Sequence, residues 1–140
     1  MTEWHELPRI TIPAADHERL IHLAETARST NPDIAEYLAR ELNRADIGEG
    51  SSDGARIRMG SRAEYRDEGT QQTRSIRVVY PFEADPGAGR ISVLTPIGAA
   101  LIGLSKGQSI DWSDRSGKPR RLTVLKVEEP GAVSLRYRDM

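Results

Sequence analysis

Cysteine is absent from the chain, so neither a disulfide frame nor a thiolate zinc site can form, and nothing depends on an oxidising compartment. A charge excess is missing too. The formal net charge is −1, whereas a free-standing binder of DNA or RNA usually needs a basic excess to release counterions from phosphates. Direct sequence-specific nucleic-acid recognition is therefore not expected, and any such contact is local or indirect. No run approaches the ~20 apolar residues that cross a bilayer. Met1-Thr2-Glu3-Trp4-His5-Glu6 has neither the basic start nor the apolar stretch of an export signal. The expectation is a cytoplasmic protein without membrane attachment. Aromatic residues are scarce, at one Phe, two Trp and four Tyr, which leaves little material for an aromatic-lined pocket.

What is present is the profile of a folded protein: 37% hydrophobic and 29% charged residues in a chain of 140, enough for one compact domain or a small domain with an appendage. After an extended lead from Pro8 to Ile12, the first helical segment opens near Pro13, a residue tolerated in a first turn. Between Ala14 and Arg28, the positions Leu20, Ile21, Leu23, Ala24 and Ala27 form an apolar stripe. Ser29-Thr30-Asn31 interrupts it. Asn31 is placed to cap a second helix, Pro32 suits its first turn, and Asp33 and Glu36 put carboxylates near the positive end of the helix dipole. Ile34, Leu38, Leu42 and Ala45 then give one apolar face through about Asp46. Two helices with so short a connection predict an antiparallel hairpin.

Gly48-Glu49-Gly50-Ser51-Ser52-Asp53-Gly54 is the clearest break in composition, and residues 48–55 read as a linker. Beyond it, Arg56–Met59, Arg62–Tyr65 and Ser75–Tyr80 carry strand patterns, with Asp67-Glu68-Gly69-Thr70 as a turn. A Pro/Gly/Asp loop runs from Pro81 to Gly89 and a short strand from Arg90 to Val93. Thr95-Pro96 opens a brief, nearly all-apolar and hence buried helix that Gly103 can close. Gln108–Trp112 and Arg121–Glu128 read as two last strands joined through Ser116-Gly117-Lys118. Within the short helix, Gly98 costs roughly 1 kcal/mol relative to alanine, which implies close packing on the sheet.

The run Ile91-Ser92-Val93-Leu94-Thr95-Pro96-Ile97-Gly98-Ala99-Ala100-Leu101-Ile102-Gly103, continued by Leu104-Ser105-Lys106-Gly107-Gln108-Ser109-Ile110-Asp111-Trp112, closely resembles the C-terminal domain of Gre-type transcript cleavage factors. With Val79-Tyr80-Pro81 upstream, it is more specifically similar to the family called regulator of nucleoside diphosphate kinase. The resemblance spans about Ile10 to Val127, strongest from Val78 to Trp112 and weak over the hairpin. It implies an α+β fold: an N-terminal segment and short antiparallel, coiled-coil-like helical hairpin over 1–47, the linker 48–55, and a Gre-factor C-terminal domain over 56–140. That domain would be an FKBP-like antiparallel sheet with one packed short helix. In Gre factors it binds the rim of the secondary channel of bacterial RNA polymerase while the hairpin reaches towards the active site. The polymerase-contacting turn falls here on Leu94, Thr95 and Pro96, with Leu94 where a polar residue is usual and Thr95 in place of serine.

Gre factors also carry acidic residues at the hairpin tip that hold a catalytic metal in the polymerase. The corresponding region here is Thr30, Asn31, Asp33 and Glu36. Asp33 and Glu36 lie on one helical face and could share a cation, but acids in a first turn are ordinary dipole partners. Each helix, at about fifteen residues, is only ~22 Å long, roughly half a Gre hairpin. The expectation is therefore a channel occupant that competes with Gre factors without cleaving transcripts: no catalytic residue, no metal and no cofactor of its own.

Other constellations add little. Gly48-Glu49-Gly50 follows a helix where a dinucleotide loop must follow a strand, and Ser116-Gly117-Lys118 lacks a P-loop's context. His17 and His22 lie too far apart around a helix to chelate one ion and read as surface or flanking residues. The arginines at 56, 58, 62, 66, 74 and 77, and the basic residues Arg115, Lys118, Arg120 and Arg121, read as solvated strand faces or as a contact surface for acidic polymerase elements or for RNA. Trp112 and Tyr80 read as core or half-buried strand aromatics. Two further functions stay open: direct protein contact with nucleoside diphosphate kinase, and peptidyl-prolyl isomerase activity, which the implied fold also hosts.

Overall fold

The computed structural model describes residues 7–49 and 55–130; the centre of the Gly/Ser linker, 50–54, lies outside the described residues. The chain begins with strand β1 (Thr11–Ile12), helices α1 (Ala14–Ala27) and α2 (Pro32–Arg44), and strand β2 (Asp46–Ile47). It continues through β3 (Arg62–Asp67), β4 (Thr73–Val79), β5 (Arg90–Ser92), helix α3 (Pro96–Leu101), β6 (Ser109–Ser113) and β7 (Pro119–Glu128). This is a mixed α+β architecture with its two longer helices at the N-terminal end. Of the stripes read from the sequence, Leu20, Ala24 and Ala27 on α1 and Leu38 and Leu42 on α2 are buried, joined by Ala35, while Ile21, Leu23, Ile34 and Ala45 are half-buried at the edges. The two helices pack on each other, and α2 also lies against α3.

A five-stranded sheet runs in the order β5-β4-β3-β7-β6. Alternation sends Ala63 and Tyr65 of β3, Ile76 and Val78 of β4, and Leu122 and Val124 of β7 into the core. The expected all-antiparallel sheet needs correcting: β5 pairs with β4 in parallel, Val78 opposite Ile91. The Pro81–Gly89 loop makes this possible. Its two short 3-10 turns, Pro81–Glu83 and Pro86–Ala88, carry the chain back to start β5 in the direction of β4. Arg56–Met59 is not a strand either, and only Arg56 bridges to Ser105. Ile57 instead bonds through its N–H to Leu104 O and through its carbonyl to Gly103 N, both at 2.7 Å. Asn31 stands at the α2 N-cap position, but its side chain makes no capping bond.

The N-terminal segment shares its core with the sheet. Ile10, Ile12, Leu20, Leu38 and Leu42 form one continuous buried cluster with Ile57, Leu101, Leu104 and Leu122. β1 pairs in parallel with β2, and Thr11 N donates to Gly103 O at 3.2 Å. Gly103 sits at φ +85°, and a Cβ there would stand 2.7 Å from Ile10 Cβ. Asp16, buried in the first turn of α1, accepts from Met59 N at 3.2 Å and faces Arg58 Nε at 3.7 Å. His17 is more than a flanking residue: its ring N–H donates to Leu42 O at 2.8 Å, tying α1 to the end of α2.

Candidate partner-docking site

The turn from β5 into α3 is locked by two hydroxyls. Ser92 Oγ accepts from Leu94 N at 3.0 Å. Thr95 Oγ1 donates to Ser92 O at 2.7 Å and accepts from Gly98 N at 3.1 Å, capping a helix whose first residue is Pro96. Threonine in place of serine keeps the hydroxyl that this geometry uses. Gly98 lets the helix lie directly on the strand end, since a Cβ there would meet Ser92 O at 2.3 Å. Leu94, Thr95 and Pro96 remain half-buried, so a rigid turn presents part of each side chain outward.

Beside it, the β6–β7 connection is organised by Asp114. Its Oδ1 accepts from Ser116 Oγ at 2.6 Å, Ser116 N at 3.0 Å and Lys118 N at 3.0 Å, while Oδ2 takes Arg120 Nε at 3.1 Å. The Ser116 hydroxyl, then the other donors, hold the Asp114 carboxyl below its ordinary value, at about 2. Asp111 pairs with Arg121 at 2.8 Å.

Helix packing brings the interhelical connection to this place. Thr30, Asn31 and Asp33 line the same groove, about 840 Å³, as Leu94, Pro96, Trp112 and Arg115. Glu36 is exposed and not part of its lining. Thr95 lines instead a second groove of about 550 Å³, on which Pro96, Trp112, Asp114 and Arg115 also border. Two aromatic donors at these grooves lack acceptors among the described residues: Tyr37 OH and Trp112 Nε1–H. Burial, and then Glu41, raise the Tyr37 phenol well above its usual range, so it stays a neutral O–H donor. Among the described residues no group of three or more His, Asp or Glu converges as a metal site would, and no helix is long and apolar enough to cross a membrane.

Tyr37 and Arg40 were not legible as site residues, whereas Arg115 stood among the basic residues that offered a contact surface. Tyr37 falls one position off the Ile34–Leu38–Leu42 stripe, and nothing local distinguishes it. Trp112 reads correctly as a half-buried strand aromatic, but its place between two grooves follows only from the packing of α2.

Residues 8–47 match the family model described as Rnk N-terminus, and residues 52–129 match that of transcription elongation factor GreA/GreB, C-term. A regulator of nucleoside diphosphate kinase from Escherichia coli K12 is 34% identical over 122 residues, covering 86% of this chain and 90% of that protein. The chain belongs to the Gre-related family of regulators of nucleoside diphosphate kinase. Within this family setting, the transcription elongation factor GreA of Sinorhizobium medicae is 36% identical over 108 residues, 76% of this chain and 68% of its own. The solved structure of a GreA/GreB elongation factor from Nitrosomonas europaea superposes with a TM-score of 0.65 at 31% identity, covering 87% of this chain and 99% of that one. The family's relatives are thus named as regulators and elongation factors, and the turn at 92–98 lies inside the GreA/GreB match.

Proposed function

We propose that the chain is a non-enzymatic transcription regulator that docks on RNA polymerase at the secondary channel through Leu94, Thr95 and Pro96 and competes there with Gre factors. The observation that carries this reading is the hydroxyl-locked strand–turn–helix at 92–98, inside the segment matched to the GreA/GreB C-terminal region. On this reading residues 1–47 act as an antiparallel hairpin, 48–55 as a linker and 56–140 as an FKBP-like docking domain. The family-model matches, which change between residues 47 and 52, support that division.

Absence of cleavage belongs to the same proposal. With 14 residues in α1 and 13 in α2, the helices are only ~20 Å long at about 1.5 Å per residue. Thr30, Asn31 and Asp33 lie around the groove that the turn itself borders, which favours a tip held near the channel rim with Glu36 on its outer side. The test is competition with a Gre factor for core polymerase, alongside cleavage of backtracked transcripts. Displacement that weakens on Thr95 or Pro96 substitution, with no cleavage at saturation, is the expected result. Robust cleavage that disappears in Asp33→Ala overturns it. The name of the Escherichia coli relative favours one second reading, direct contact with nucleoside diphosphate kinase. Retention of purified kinase but not polymerase would decide for that reading.

A further inference from the structure

The two grooves flanking the proposed docking turn form one surface, because Pro96, Trp112 and Arg115 border both. Their chemistry differs. The second groove has apolar walls from Ile91, Ile97 and Pro86. The first carries charge, and its acids are largely spoken for: Asp111 is taken by Arg121 and Asp114 by Arg120. Asp33 is left, against two guanidinium groups that make no ion pair among the described residues, Arg40 of α2 and Arg115 of the β6–β7 turn. Trp112 Nε1–H and Tyr37 O–H also lack partners, but both atoms are closed to solvent, so an incoming group meets the exposed guanidinium groups of Arg40 and Arg115 instead. The vacant hydrogen-bonding capacity of the groove is therefore for an acceptor of negative charge.

We propose that this double groove receives a protein segment of the polymerase that presents a carboxylate beside an apolar side chain. The carboxylate meets Arg40 and Arg115 in the first groove, and the apolar side chain fills the second. The inference rests on the docking reading above and changes its extent. α2 becomes part of the contact surface, and the helix pair contributes to affinity as well as to exclusion of competitors. A protein segment fits better than a small anion, because the apolar groove adjoins the cationic one and a free phosphate would leave it empty.

The experiment measures affinity of the full chain for core polymerase at low and high salt. Arg40→Gln and Arg115→Gln should each weaken binding about tenfold at low salt, as for loss of a charged hydrogen bond, with the difference shrinking at high salt. Glu25→Gln, on the exposed side of α1, should leave affinity unchanged. Melting curves check that each variant folds, as expected for arginines whose side chains lie at the surface. If the unaltered chain fails to bind polymerase, the docking reading and this inference fall together. If it binds and Thr95 or Pro96 substitution weakens it while Arg40→Gln and Arg115→Gln do not, only the inference falls. Calorimetric binding of ADP or pyrophosphate that Arg40→Gln abolishes would reassign the groove to a small anion. A dimer that Arg40→Gln dissociates would reassign it to a second copy of the chain; either result overturns the proposal.

Discussion

Gly103→Ala and Gly107→Ala form a pair that measures how firmly the helices are seated on the sheet. Both glycines have positive φ, +85° and +91°, so alanine pays about 1–2 kcal/mol for the left-handed backbone at either position. At either position, too, it recovers about 0.4–1 kcal/mol by restricting the unfolded chain. These contributions cancel in the difference. What remains is contact: a Cβ at Gly103 would stand 2.7 Å from Ile10 Cβ and 3.3 Å from Ile12 Cγ1, while one at Gly107 meets nothing within 4 Å. Ile10 Cβ cannot rotate away, and overpacking of this kind costs about 1–3 kcal/mol. At about 4 °C per kcal/mol for a domain of this size, Gly103→Ala should melt roughly 8 °C below Gly107→Ala. Thermal unfolding by circular dichroism gives the difference, and hydrogen exchange at the Thr11 amide, bonded to Gly103 O, should accelerate in Gly103→Ala alone. Equal melting temperatures with an unchanged Thr11 exchange rate would refute a close seating of β1 on the α3 terminus.

Thr95→Val removes the cap of α3 and should cost about 1 kcal/mol by urea unfolding, whereas Thr95→Ser should cost much less. Asp16→Ala leaves Met59 N–H without its acceptor and Arg58 without its buried partner, a loss of about 1–3 kcal/mol read in the same assay. For Asp114 the folded-state pKa lies below the unfolded one. Its contribution is therefore complete above about pH 4 and disappears as pH falls through about 2. A carboxyl NMR titration should place its midpoint near 2, and Asp114→Asn should flatten the acid limb of stability between those values.

The features legible in the sequence were those set by local chemistry. The periodic leucines placed the buried faces of α1 and α2, Thr95-Pro96 marked the start of α3, and Gly98 announced the close approach that the Ser92 carbonyl confirms. Turn chemistry placed the Asp67–Thr70 and Ser116–Lys118 connections. Illegible features depend on partners far along the chain. Arg56–Met59 alternates like a strand, yet its backbone bonds go to Gly103, Leu104 and Ser61 rather than to a ladder. β5 carries no mark of its parallel pairing, because a three-residue strand has the same pattern in either direction. Asp16 has the sequence setting of an ordinary first-turn carboxylate, and only the fold brings the Met59 amide to it. The groove was least legible of all. Thr30 and Asp33 line one groove with Leu94 and Pro96 because α2 packs against α3, far along the chain.

The two-residue ladder between β1 and β2 has a wider meaning. Asp46 N bonds to Ile10 O at 2.9 Å and Gly48 N to Ile12 O at 3.0 Å, so the strands that feed and leave the helix pair are fastened side by side. Whatever lies between Ala14 and Arg44 is closed off at its root, as a stalk is by its collar. Matched turns inserted on both helices would lengthen the pair by about 5.4 Å for each turn added while the ladder holds its root, but the connection at Thr30 to Asp33 would then leave the groove it now lines. Reach and the groove contact therefore exclude one another.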